Sequence, residues 1–120
     1  MLVLASIKTS TLGSEETRRL WARTLELARS EGADRFALDG SNMTEPLVSS
    51  DTVVDASTEV VALNVYADDG WVAGISDWGD NISVLFSVQN WERLAAVIER
   101  LDPRPTYDVA EAESRPAAPA

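Results

Sequence analysis

The sequence predicts an α+β fold: a three- to five-stranded, mostly antiparallel sheet with two helices packed on one face. Alternating apolar residues run through residues 59–86 and are interrupted by two turn sequences, which is typical of a β-meander. Two other segments carry apolar residues at helical spacing. Of the 120 residues 45% are hydrophobic, so a core can form without disulfides or metals.

The first predicted elements are a short strand and a helix. Residues 2–7 are apolar and fit either a strand or an apolar arm. A helix is predicted over about residues 14–31, with Ser14 as its N-cap and two glutamates near its positive N-terminal end. Gly32 is predicted to end this helix in a left-handed conformation.

The middle of the chain gives weaker signals. Residues 36–38 and 53–54 fit short strands, and residues 39–51 read as a polar loop that contains Pro46. No single pattern predicts the structure of residues 33–58.

The meander is the best-defined piece of the sequence. Residues 59–66 are rich in β-branched side chains, and residues 67–70 end in an Asp-Gly pair of the kind that tight hairpins need. A second strand follows from Trp71, a second turn occupies residues 78–81, and residues 82–86 form the third strand.

The last predicted helix begins at a Ser87 N-cap and stops before Pro103. Phe86 and Trp91 have the spacing of a hydrophobic staple. Trp91 and Trp21 are both predicted to lie in the core. The predicted apolar stripe, with Val97 at its margin, consists of Trp91, Leu94, Ala95, Ile98 and Leu101.

Domain organisation follows from a change in composition near the C-terminus. Residues 1–102 are predicted to form a single α+β domain. Residues 103–120 contain four of the five prolines, with Ala and Glu between them, and are predicted to be a disordered tail.

Composition excludes several classes of function. Cysteine and histidine are both absent, which removes thiolate chemistry, Cys-type zinc sites and the commonest general base. The formal net charge of −10 disfavours direct binding to nucleic acid or to an anionic membrane. It favours a basic partner, or it serves only to keep the protein in solution. No signal peptide or membrane span is evident, which predicts a cytoplasmic protein.

No residue set predicts catalysis, a cofactor or a metal. The paired aspartates lie at turns, where Asp is favoured for backbone reasons. Asp77, Asp80 and Asn81 cluster oxygen ligands, but the twelve-residue calcium loop is missing. A serine nucleophile would have only Lys8 as its base. The protein is therefore not expected to be an enzyme, and carboxylate catalysis is the least favoured interpretation.

The second turn carries the sharpest hypothesis for a binding site. Trp78 lies there between Asp77 and Asp80, and tryptophan is enriched at binding hot spots. Asp69 and Trp71 complete the predicted partner-binding set. The alternative is that Trp78 covers the edge of the sheet.

The end of the meander also resembles a known family. Residues 72–77, then the 84–87 strand end, then Trp91 and Leu94 resemble the actinobacterial domain of unknown function 397 over residues 59–100. That family's cysteine-containing strand has no counterpart here. The resemblance implies a small partner of helix-turn-helix regulators that acts by binding the regulator.

Two functions are thus expected. The first is a small acidic accessory protein that binds a protein partner, such as a regulator or a toxin. The second is a structural or assembly protein that forms homo-oligomers, with the apolar 1–7 segment adding a strand to a neighbouring subunit.

Overall fold

The computed structural model describes residues 2–10, 13–39, 43–48, 53, 62–68, 70–77, 81–101 and 106–112. It confirms the α+β class. The helices are α1 (Ser14–Ser30) and α2 (Trp91–Arg100). The strands are, in chain order, β1 (Leu2–Ser10), β2 (Arg35–Leu38), β3 (Glu45–Pro46), β4 (Ala62–Ala67), β5 (Gly70–Asp77), β6 (Asn81–Val88) and β7 (Thr106–Ala112).

The strands form one antiparallel sheet in the order β3-β2-β4-β5-β6-β1-β7. The central five strands, β2, β4, β5, β6 and β1, match predicted strands. The two edge strands, β3 and β7, extend the sheet beyond the predicted five. The predicted strand at 53–54 is wrong at Val53, which is buried and helical, and residue 54 lies outside the described residues.

The C-terminal segment differs from the predicted tail. Residues 106–112 form β7 and pair with β1 along its whole length, from Thr106 opposite Lys8 to Ala112 opposite Leu2. The expectation of a disordered tail is therefore wrong for these residues. Composition alone pointed to disorder, but the backbone of an extended segment can pair with an open sheet edge whatever its side chains.

The N-terminal segment was expected to be available for pairing with another subunit, whereas it lies inside the sheet of its own chain. β1 pairs with β6 on one side and with β7 on the other. A strand with neighbours on both sides has no free edge to offer. In this structure β1 therefore has no free edge with which to add a strand to another subunit, and the formation of homo-oligomers stays a prediction.

The ends of α1 follow from local chemistry. The N-cap is Gly13, one residue before the predicted Ser14, and the Glu16 carboxylate accepts a hydrogen bond from the Gly13 N–H at 2.8 Å. At the other end Gly32 has a φ of 97°, as predicted. The Ala33 N–H donates to the Ala28 carbonyl at 3.0 Å, which completes a Schellman motif.

Replacing Gly32 with alanine tests this helix end. A Cβ there would meet only the Ala67 Cβ, at an ordinary 3.9 Å, so the cost comes from the backbone conformation alone. We expect Gly32→Ala to lower the free energy of unfolding by about 1 kcal/mol. Urea denaturation followed by circular dichroism measures this. An unchanged midpoint would contradict the left-handed helix end.

Both helices pack on the same face of the sheet, as predicted. α1 contacts β5, and α2 contacts β6 and β1. Ion pairs join Arg93 to Glu31 and Arg100 to Glu26, so the two helices run antiparallel. The large side chains buried between the helices and the sheet include Leu20, Trp21, Leu25, Leu63, Val65, Ile75, Val84, Phe86, Leu94 and Ile98.

Candidate functional site

The junction between β6 and α2 places the residues of the candidate site. The N-cap of α2 is Asn90, whose Oδ1 accepts a hydrogen bond from the Arg93 N–H at 2.8 Å. Ser87 instead lies inside β6, opposite Leu4 of β1. The predicted Ser87 N-cap is therefore wrong, because pairing with β1 extends the strand to Val88.

This later start changes the position of Trp91. With Asn90 as the N-cap, the two staple positions fall on Gln89 and Leu94, so the predicted Phe86–Trp91 staple does not form. Trp91 is the first helical residue and is 53% exposed. The prediction that it lies in the core is wrong, whereas the same prediction for Trp21, which is 0% exposed, is confirmed.

The apolar stripe of α2 is correspondingly shifted. Its buried members are Leu94, Val97 and Ile98, followed by Leu101 at the C-cap. Ala95, predicted to face the core, is exposed. The outward surface of α2 thus begins with a half-exposed aromatic ring on a regular helix.

A cleft of about 550 Å³ lies where the C-terminal end of α1, the β4–β5 turn and the start of α2 meet. Its walls include Glu31, Asp68, Gln89 and Arg93. The Arg93 Nε donates to the Glu31 carboxylate, whose side chain is only 10% exposed, whereas that of Arg93 is 51% exposed. Because ligand pockets are mostly apolar, this mixed polar cleft suits a polar side chain of a partner better than a small apolar ligand.

Trp71, one of the predicted site residues, has a structural role on the other side of the sheet. Its indole Nε1 donates to the Asn64 Oδ1 at 3.1 Å, and its ring lies over Gly74. Asn64, Gly74 and Leu85 are in register across three strands and alternate with core residues. Trp71 therefore packs on the sheet face opposite the helices.

The two predicted site residues that the structure describes, Trp71 and Asp77, are not brought together. Asp77 ends β5, six residues after Trp71, which is about 20 Å along a strand. The two lie at opposite ends of the same strand. Trp78, Asp69 and Asp80 lie outside the described residues, so the site that they would form stays a prediction.

The described residues offer little for acid–base or metal chemistry. Burial raises the pKa of the Tyr66 phenol above its usual 10.0, so this hydroxyl stays protonated at neutral pH. Among the residues that the structure describes, no three acidic side chains are grouped so that they could hold a metal ion.

Comparisons of the chain with protein-family models, with curated proteins and with solved structures find no significant match. The resemblance of residues 59–100 to the domain of unknown function 397 therefore stays a prediction. In the part of the chain that the structure describes, no helix is both long and apolar enough to cross a membrane.

Sequence reasoning missed the exposure of Trp91, although a signal was present. Asn90 is as good an N-cap residue as Ser87, and Glu92 two residues later fits the first turn of a helix. The Asn90 cap indicates the later helix start that makes Trp91 the first helical residue, although helical spacing alone still places Trp91 at the margin of the stripe of Leu94 and Ile98.

Proposed function

We propose that this protein is a small acidic accessory protein of the cytoplasm that acts by binding a protein partner, with a regulator or a toxin as the expected partner class. The observation that supports this most is the half-exposed Trp91 at the start of α2. A tryptophan that leaves about half of its surface exposed can offer an apolar contact to a partner, and tryptophan is enriched at binding hot spots.

The surroundings of Trp91 suit such a contact. The ring stands on the first turn of a helix whose start is fixed by the Asn90 cap, so little ordering is needed on binding. Its neighbours in the chain, Asn90 and Glu92, are polar and exposed. An aromatic anchor beside polar groups is the usual composition of a protein-binding surface.

A partner can be captured on the immobilised full chain from a native extract and then purified for calorimetry. We expect Trp91→Ala to raise the Kd by about thirtyfold, because the loss of a hot-spot tryptophan costs about 2 kcal/mol. Val48→Ala is the matched control, since Val48 is an exposed apolar side chain two residues after the end of β3. It should change the Kd by less than about twofold.

Two results would count against the proposal. If no protein is retained above the level of an unrelated acidic control protein, the accessory role is wrong. If Trp78→Ala with Asp80→Ala weakens binding while Trp91→Ala does not, the partner uses the turn predicted from the sequence and not the start of α2.

A further inference from the structure

The exposed face of α2 carries both glutamates of the helix and neither of its arginines. This face consists of Trp91, Glu92, Ala95, Ala96 and Glu99. All five are exposed: Glu92, Ala96 and Glu99 lie opposite the buried stripe, and Trp91 and Ala95 lie on the flank of the helix that faces away from α1. This set is called the α2 outer face below.

Both arginines of α2 are turned away from the outer face. Arg93 pairs with Glu31, and Arg100 lies 3.7 Å from Glu26, which also pairs with Arg23, so both guanidinium groups are directed towards α1. Glu92 and Glu99, in contrast, form no ion pair with any residue that the structure describes. The face that meets solvent is therefore negative, although α2 as a whole carries as many arginines as glutamates.

Helix stability explains only one of these two glutamates. Glu92 lies in the first turn, where a negative charge interacts favourably with the helix dipole. Glu99 lies in the last turn, where the same charge is unfavourable. Without an intramolecular cation among the described residues, Glu99 gains nothing from its position in the free protein.

The shape of the outer face selects an elongated partner. Glu92 and Glu99 are two helical turns apart, about 10 Å along the axis. Ala95 and Ala96 lie between them and leave room for another backbone to approach, since helices with small residues at the contact pack about 8 Å apart. Trp91 stands at one end as an apolar anchor.

A second copy of the chain is a poor occupant for this surface. Each copy carries a net charge of −10, and the two negative fields repel one another. The unpaired Glu92 and Glu99 carboxylates would pair with basic side chains. Their separation of two helical turns matches that of side chains two turns apart on a partner helix.

Resting on the proposed function, we infer that the α2 outer face docks a cationic amphipathic helix of the partner. Two basic side chains, about two turns apart on that helix, pair with Glu92 and Glu99. An apolar side chain between them packs on the two alanines and against the Trp91 ring.

The probe for this inference is a synthetic amphipathic helix of about 18 residues, long enough to be helical, with lysines on both sides of a leucine stripe. Its affinity for the full chain is measured by fluorescence anisotropy. We expect Glu92→Gln with Glu99→Gln to raise the Kd about fivefold, and Trp91→Ala to raise it at least tenfold. Raising the salt concentration should weaken binding to the wild-type chain and reduce the difference between the chains.

The matched control removes the same amount of charge elsewhere. Glu15 begins α1 and Glu45 lies on the far edge strand, and both are exposed. Because charges beyond about 8–10 Å are screened, Glu15→Gln with Glu45→Gln should change the Kd less than twofold. A peptide with glutamates in place of the lysines should not bind.

The outcomes separate this inference from the proposed function. Equal weakening by the two double variants, or no binding of the cationic peptide, overturns the inference, because only the general negative field would then be at work. If the captured partner loses affinity on Trp91→Ala but not on Glu92→Gln with Glu99→Gln, the accessory role stands and the cationic helix is wrong. If no partner is captured while the peptide binds as expected, the accessory role is wrong and the docking chemistry stands.

Discussion

Replacing Trp21 with alanine is expected to lower the free energy of unfolding by about 3–5 kcal/mol. Trp21 is 0% exposed and is the largest fully buried side chain of the core between α1 and the sheet. Truncation removes its contacts and leaves a cavity that the packed surroundings can only partly fill. Since small domains have only about 5–15 kcal/mol of total stability, the variant should be close to unfolding at room temperature.

Two further variants show whether burial is the cause. Trp91→Ala should cost less than about 1 kcal/mol, because that ring is half exposed. Trp21→Phe should cost less than Trp21→Ala, because it keeps an aromatic ring and removes the buried indole Nε1, which has no hydrogen-bond acceptor in the described structure. Urea denaturation followed by circular dichroism compares all three. Equal losses for Trp21→Ala and Trp91→Ala would refute the assignment of the core.

Replacing Gly74 with valine is expected to destabilise the fold by about 3 kcal/mol. A Cβ at this position would lie 2.6 Å from the Asn64 Oδ1 and 3.3 Å from the Leu63 carbonyl oxygen. The Asn64 side chain would have to move, which breaks its hydrogen bond to the Trp71 indole. The backbone of β4 would also have to shift, since its carbonyl cannot rotate away.

A double-mutant cycle isolates this contact. Asn64→Ala alone should cost about 1 kcal/mol through loss of the Trp71 hydrogen bond. In a Gly74→Ala background it should cost almost nothing or be stabilising, because it removes the atom that the new Cβ meets first. Additive effects in the cycle would contradict the close approach of Gly74 and Asn64.

The parts of the fold that the sequence predicted well are those with local causes. The hairpin in which Ala67 pairs with Gly70, and the alternation along β4, β5 and β6, need only neighbouring residues to be recognised. Gly32 ends α1 for a reason contained in the glycine itself. Trp21 falls on the core side because the stripe around it is long and regular.

The start of α2 could not be decided locally. Ser87 and Asn90 are both good cap residues, and the choice between them depends on β1, whose pairing holds Ser87 in the strand. The Ser87 Oγ is buried without a hydrogen-bond partner in the described structure, so the strand is favoured despite an unsatisfied hydroxyl. This non-local pairing is what moves Trp91 from the core to the surface.

β7 was missed for a related reason. Its sequence is poor in large apolar groups and is flanked by prolines, which is the composition of a disordered tail. The property that orders it is the free edge of β1, and that edge exists only after the sheet has formed.

The predicted binding site around Trp78 lies outside the described residues and stays a prediction. A tryptophan with acidic neighbours was expected around Trp78, whereas the described exposed tryptophan is Trp91, followed by Glu92. Sequence patterns give the residue types that favour binding, but the exposed fraction of a side chain depends on packing between distant segments. Trp71, in contrast, was predicted to contact a partner, but its indole donates a hydrogen bond to Asn64 within the sheet.

The position of β1 has a consequence for how this protein is made. Of the strands that the structure describes, β1 is synthesised before the others, yet its partners are β6 and β7, and Ser10 must wait for Asn81 to emerge. At roughly 5–20 residues per second, that delay lasts several seconds. During synthesis the meander and α1 can assemble first, and β1 then enters beside β6 before the last-made strand covers its other edge. β1 pairs with strands that lie far from it in the sequence, and such non-local pairing predicts slow folding for a chain of this size.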